Sequence, residues 1–362
     1  MLNTRSLAAP AAGGDIVLGQ SAVLSGPLGG PLKSFNNAAQ LAFEHVNRAG
    51  GIGGRQIRLV SLDDQLDPVK TVANYRTLLT EHKALAFFGG VGAATTAASI
   101  PLLRETRVPL IGNYAVPDGV REAARGAAYF VRATYGREAE SLIDLLDVIG
   151  NTRIAVVHLA NPGGEDVLAR LRAAIRKHNP SNDVVASAAV KNEGGGAAEA
   201  ARMISEARPQ AVILFLSGPP VVEFLKTLLT LGPMPTIYGM SIVAGDWVAR
   251  QLGDQLKGLS VVQVVPYPWA EVAPAAVAFR ELCKTAQQDV SYAGFEGWIN
   301  AQVMIEALRR TGGDFGREQL HTTMRGLKAR VADMDIDFTT NSATGGRFVE
   351  LVHVRANGRF IR

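Results

Sequence analysis

DIVLGQSAVLSGPLGGPLKSFNNAAQLAFEHVNRAGGIGGRQIRLVSLDD, residues 15–64, decides the fold class. From Asp15 the run DIVLGQSAVL is apolar and of strand length. A loop rich in turn residues follows, with Gly26, Pro27, Gly29 and Gly30. Ala38, Leu41, Ala42, His45 and Val46 then recur at helical spacing, and Gly50 and Gly51 mark the end of that helix. RQIRLVSLDD is a second strand. An apolar strand, an amphipathic helix and another apolar strand make the unit from which a parallel sheet is built.

The same alternation continues outward. Pro68 fits the first turn of a helix through DPVKTVANYRTLLTEH, ALAFFGG is a short strand, the small residues VGAATTAAS open a helix toward PLLRET, and VPLIGN is a fourth strand. The pattern restarts after Tyr135. Helices are expected over GREAESLIDLLDVIG, EDVLARLRAAIRKH, GGAAEAARMISEA and PPVVEFLKTLLTLG, alternating with strands at TRIAVVHLA, DVVASAAV, QAVILFLS and PTIYGMS. The remainder is mixed. GLSVVQVVPYP is a strand broken by prolines, AVAFRELCKTAQ and SYAGFEGWINAQVMIEALRRTGG are helices, and GRFVELVHVRANGRF reads as a hairpin turning at Asn357-Gly358. Two α/β units followed by such a tail suggest a chain that returns to its first unit. The expected fold class is α/β, with two doubly wound parallel-sheet units at roughly 15–132 and 135–258. Residues 1–14, rich in Ala, Pro and Gly, read as a disordered leader without the apolar core of a signal peptide.

Composition excludes several classes. The 362 residues suit two domains, and 47% hydrophobic with 19% charged residues is globular. The net charge of +4, from 37 basic and 33 acidic side chains, is small and scattered, so a nucleic-acid surface is not expected. No apolar run is long enough to span a membrane. The single cysteine, Cys283, can form no internal disulfide and reads as a small core residue.

Signals of chemistry are sparse. GPLGG at 26–30 matches no phosphate-binding fingerprint, and GGVGAATT at 89–96 is a loop whose free backbone N–H groups suit an anion or polar head. The six histidines are far apart, and neither Asp63, Asp64 and Asp67 nor Asp333, Asp335 and Asp337 has metal-loop spacing, so no metal or other cofactor is expected. No GxSxG or convergent triad appears, so catalysis is not expected. Aromatic residues offer more. Tyr114 and Tyr135 lie at strand ends or unit boundaries, Tyr267 and Trp269 lie in a Pro-rich loop, and Tyr292, Phe295 and Trp298 share one helix face. Loops at the carboxyl ends of strands line clefts in doubly wound folds.

Taken in order, IVLGQSAVLSGPLGG, AFEHVNRAGGIGGRQIRLVSLDD, the stretch from PVKTVANYR to RVPLIG, RIAVVHLANPGGEDV and SYAGFEGWINAQVMIEALRRTGG make the chain resemble the periplasmic solute-binding proteins of branched-chain amino acid type. The resemblance covers nearly all of residues 15–362. It implies a type I binding fold, two doubly wound lobes, residues 15–132 plus 262–340 and residues 133–261 plus 341–362, joined by three hinge crossovers that close on a ligand, in the receptor of an ABC importer with permease and ATPase partners. It also implies a periplasmic location, a cytoplasmic one being the lesser alternative.

In that family a loop of small hydroxyl residues holds the ligand carboxylate, and an acidic residue of the second lobe helps hold its ammonium group. The resemblance places the first loop at Gly92, Ala93, Ala94 and Thr95, beside Asn113 and Tyr114. The acidic position falls near Ser241, and the family's aromatic positions fall at Asn161, Pro162 and Gly163 and at Ser217, Gly218 and Pro219. Loss of the acid leaves a buried ammonium without a partner. The expected ligand is therefore an amino acid or, equally, a small carboxylate or aromatic acid, with other polar solutes behind. Arg132, near Tyr135 at the hinge, is a candidate counter-charge, and Tyr267 or Trp269 a candidate seal at the mouth. A ligand sensor of the same fold is the alternative function, and a doubly wound enzyme a more distant one.

Overall fold

The computed structural model describes residues 14–25, 29–191, 195–256, 258–313, 315–340, 343–355, 357 and 359–362. The expected leader, the loop at Gly26 and Pro27 and the Gly358 half of the expected turn lie outside these residues. The first run of elements is β1 (Ile16–Ala22), α1 (Gly29–Arg48), β2 (Ile57–Asp63), α2 (Pro68–Thr80), β3 (Ala86–Phe88), α3 (Ala93–Thr106), β4 (Leu110–Ile111), α4 (Asp118–Ala123) and β5 (Ala128–Tyr129). The second is α5 (Tyr135–Val148), β6 (Ile154–Leu159), α6 (Pro162–His178), β7 (Ala186–Val190), α7 (Ala197–Glu206), β8 (Ala211–Phe215), α8 (Pro219–Leu229), β9 (Thr236–Gly239), α9 (Gly245–Leu252) and β10 (Leu259–Gln263). Then come α10 (Pro274–Thr285), α11 (Tyr292–Thr311), α12 (Arg317–Gly326), β11 (Lys328–Val331), β12 (Met334–Asp337), β13 (Glu350–Val354) and β14 (Phe360–Ile361).

Local chemistry explains these boundaries. Every residue of β1 and of β8 is buried, as strands covered on both faces require. Asp67 caps α2 by accepting from the backbone N–H groups of Val69 and Lys70, and Pro68 occupies the position where no donor is needed. Thr134 caps α5 and Asn161 caps α6 in the same way. In β12 Met334 and Ile336 face inward and Asp335 faces out, consistent with an outer strand face for the alternating aspartates.

The first sheet runs β2-β1-β3-β4-β5, all parallel. The second repeats that winding as β7-β6-β8-β9-β10, then adds β13 and β14 antiparallel at one edge. The fold is thus the doubly wound α/β architecture expected, with the C-terminal hairpin sealing the second sheet. The chain crosses between sheets after β5, after β10 and after β12, so the tail does return to the first unit before ending in the second.

That return is made by α11, which packs against α1. The two backbones meet at Gly297, where an added Cβ would lie 2.2 Å from the Phe35 carbonyl oxygen. Around this crossing Phe295 stacks on Trp298, ring centroids 5.7 Å apart, and Phe279 lies 5.0 Å from Phe295. Cys283 is buried here in α10, and burial pushes its thiol up to about 11. Replacing Gly297 by alanine forces α1 and α11 apart, and overpacking of this kind costs about 1–3 kcal/mol. Urea denaturation of Gly297→Ala is expected to show a lower midpoint at unchanged slope; an unchanged midpoint would mean that the helices part without cost.

Candidate functional site

Each sheet has a topological switch point, between β1 and β3 and between β6 and β8, where neighbouring strands send their connections to opposite faces. A cavity of about 490 Å³ opens between the carboxyl ends of the two sheets. From the first side come Val91 to Thr95 after β3 and Tyr114 and Ala115 after β4; from the second come Leu159 to Gly163, Ser217 and Gly218, and Ser241 to Gly245. Tyr292, Ala293 and Glu296 of α11 and Phe360 of β14 complete the wall. Leu32, Leu66, Val120, Phe215 and Ile242 make most of the surface apolar.

α3, α8 and α9 begin at this cavity without a side-chain cap, after Gly92, Gly218 and Ala244. α8 opens on Pro219 and Pro220, which carry no N–H, so the backbone donors that favour an anionic or strongly polar acceptor come foremost from the start of α3. The Thr95 hydroxyl is not free for that purpose: it donates to the carbonyls of Val91 and Gly92. The loop before α3 is held from behind by Asn113, which accepts from Gly90 N at 2.8 Å and donates to Thr96 Oγ1 at 3.0 Å.

Beneath Tyr114 lies a buried charge cluster. Arg132, 1% exposed, places its guanidinium 4.8 Å from the centre of the Tyr114 ring. Its Nη2 donates to Ser241 Oγ and lies 3.6 Å from Glu138 Oε1, while Nη1 lies 3.5 Å from Glu296 Oε1. Glu138 in turn accepts from Ser241 N at 2.9 Å and from Ser241 Oγ at 2.7 Å. Arg132 follows β5 of the first sheet and Ser241 follows β9 of the second, so this cluster ties the two sides at the hinge. Burial raises the Glu138 and Glu296 carboxyls above the usual range, against the pull of Arg132. Burial works to lower Arg132, and the neighbouring carboxylates, Glu296 foremost, outweigh it, so the guanidinium stays charged. Burial likewise pushes Tyr114 up to about 12. A second buried guanidinium, Arg121, donates to the carbonyls of Val116 and Arg132.

The structure brings together at the cavity Ala93, Ala94, Thr95, Tyr114, Tyr135, Pro162, Gly163, Ser217 and Ser241 of the expected residues. Asn113 and Arg132 stand one layer behind. Pro219 begins α8 but is not part of the wall; its neighbour Gly218 is. Tyr267 and Trp269 seal nothing directly. They back the wall, Tyr267 donating to the Phe360 carbonyl at 3.0 Å and Trp269 stacking on Phe360. Sequence reasoning missed Gln263, Glu296 and Phe360 in the wall and Glu138 behind it; only Glu296, a lone acid in the apolar stretch SYAGFEGWIN, carried a signal. Among the described residues no group of three or more His, Cys, Asp or Glu could hold a metal, and no helix is long and apolar enough to cross a membrane.

This arrangement, a cleft between two doubly wound sheets linked by three crossings, defines a two-lobed binding protein. The chain belongs to the periplasmic binding protein family, whose model matches residues 15–359. It is 37% identical over 125 residues to the chemotactic signal transduction system substrate-binding protein BasB of Halobacterium salinarum, a match covering 32% of this chain and 30% of that one. It is 29% identical over 184 residues to an amino acid binding protein of Pseudomonas aeruginosa, covering 49% and 46%. These matches span less than half of either relative. Similarity of fold is more extensive. A substrate-binding periplasmic protein from Ralstonia solanacearum superposes with a TM-score of 0.88 at 27% identity, over 96% of this chain and 99% of that one. A branched-chain amino acid ABC transporter protein from Thermus thermophilus with bound valine gives 0.84 at 18%, over 96% and 94%. A solute-binding protein from R. palustris in complex with benzoate gives 0.82 at 17%, over 96% and 95%.

Removing one partner of a buried ion cluster leaves the others uncompensated, at a cost of about 3–5 kcal/mol. Arg132→Met is therefore expected to be strongly destabilised in urea denaturation. The triple variant Arg132→Met, Glu138→Gln, Glu296→Gln should recover part of the loss; a triple variant no better than the single would show that the charges are not coupled.

Proposed function

We propose that this chain is the extracytoplasmic receptor of an ABC importer, working in the periplasm with permease and ATPase partners and closing two lobes around a small amino acid, carboxylate or aromatic acid. The observation that carries the reading is the cavity itself, sited where the two switch points face each other and lined from both sides. Its size suits a single small molecule, its lining supplies apolar burial, and the uncapped start of α3 supplies donors for an acid group. Valine in one structural neighbour and benzoate in another are consistent with both ligand classes. The solute docks on the Ala93–Thr95 loop and Tyr114. The loops at Asn161–Gly163, Ser217–Gly218 and Ser241 then close over it by small torsions at the three crossings. Ligand that binds the closed form better draws the population there, and no bond in it changes.

A sensing role for the same site is supported by the likeness to a chemotactic substrate-binding protein. Deleting the gene separates the two, since loss of uptake marks transport and loss of response without loss of uptake marks sensing.

Purified protein should be screened by thermal shift against amino acids, aliphatic acids and aromatic acids. A true ligand at a hundred times its Kd stabilises by about 2.7 kcal/mol, and it should be recovered chemically unchanged. Conversion of the ligand to a product would sink the receptor reading.

The closing contact can be tested separately. Gly163 lies against the opposite side, where an added Cβ would come within 3.0 Å of Pro117 Cγ and 3.9 Å of Ala93 Cβ. Gly163→Val should weaken the best ligand roughly tenfold or more by depopulating the closed form, with little change in the melting temperature of ligand-free protein. Unchanged affinity would show that binding does not need this closure.

A further inference from the structure

Two residues of the cavity wall each carry a buried polar atom without a hydrogen-bond partner, the Tyr135 hydroxyl and Glu296 Oε1. Glu296 projects from the second turn of α11 and is 5% exposed. Its only ionic neighbour within 4 Å among the described residues is Arg132, whose facing Nη1 also lacks a hydrogen bond. A buried carboxylate oxygen so placed is costly unless something completes it. Ser241, where a second-side acid is expected, is itself occupied by Glu138 and Arg132.

Resting on the receptor reading above, we infer that Glu296 is the specificity-determining acceptor of the site. It takes a hydrogen bond from a donor on the bound solute, an ammonium group first of all, while Arg132 is the positioning residue that holds its carboxylate. The acid clamp has moved from the loop after β9 to the helix α11. Charge accounting points the same way. Arg121 and Arg132 formally cancel Glu138 and Glu296, and Asp118 pairs with Arg170 at 3.1 Å. An anion without a donor adds an uncompensated charge and leaves Glu296 Oε1 unsatisfied. A zwitterion adds no net charge: its carboxylate lies at the start of α3 and its ammonium on Glu296. The solute class is therefore an amine-bearing acid with an apolar side chain, rather than a simple carboxylate.

The test uses matched pairs that differ only by the amine: L-leucine against 4-methylpentanoate, and L-phenylalanine against 3-phenylpropanoate. Calorimetric titration of the full chain should show the better amine binding at least about tenfold more tightly than its partner. In Glu296→Gln that ratio should fall toward one, circular dichroism confirming the fold. Should this variant not fold, Glu296→Asp, which keeps the charge and withdraws it by one methylene, should shrink the ratio severalfold. A wild-type ratio near one, or a ratio that either folded variant leaves unchanged, overturns the assignment. Tighter binding of the amine-free acids overturns it too, yet leaves the receptor reading standing. Failure of the wild type to bind any of the four counts against both.

Discussion

Arg132 carries a charge that water never reaches, at the point where the chain leaves the first sheet for the second. Removing a guanidinium from water costs several kcal/mol, and the cost is met only by placing carboxylates around it. Here one comes from α5 and one from α11, with Ser241 filling the gap between the guanidinium and Glu138. The cluster need not add net stability, because desolvation offsets most of its attraction. Its consequence is positional. The two helices and the loop after β9 must meet at one geometry or leave a charge bare. The cavity floor inherits that geometry, with Tyr114 laid over the guanidinium and Glu296 facing inward.

The walls above that floor follow from backbone rather than side-chain chemistry. A parallel sheet puts the starts of its following helices at one end, and two such sheets facing each other put several helix starts around one space. Small residues at those starts, Gly92, Ala93, Gly163 and Gly218, let the two sides approach. The lining sets the uncapped start of α3 on one side and the Glu296 carboxyl of α11 on another. The apolar middle is bounded by Phe215, Ile242, Tyr292 and Phe360.

One feature of the cavity was not legible in the sequence. An acid missing at Ser241 removes a partner for an ammonium at that position, and a carboxyl group borders the same cavity from residue 296, more than fifty positions along the chain. In SYAGFEGWIN the glutamate stands among residues spaced for a packed helix face, and Tyr292, Phe295 and Trp298 are indeed buried there. Nothing in the spacing says that one side of that helix also borders a cavity.

What the sequence by itself determined is the alternation of elements, and with it the doubly wound class. The cause is local: buried parallel strands must be continuously apolar, helices must show a stripe, and caps such as Asp67 and Asn161 act within a few residues. The strand ends were legible for the same reason, and the family resemblance added which loops to look at, those at Gly92 to Thr95, at Asn161 to Gly163, at Ser217 and at Ser241. Tertiary structure alone decided which of these loops face one another, that Tyr267 stands behind Phe360, and that Arg132 is enclosed by Glu138 and Glu296. Those contacts join residues far apart in the chain, and their energies depend on burial, which exists only once the two sheets and the returning helix have come together.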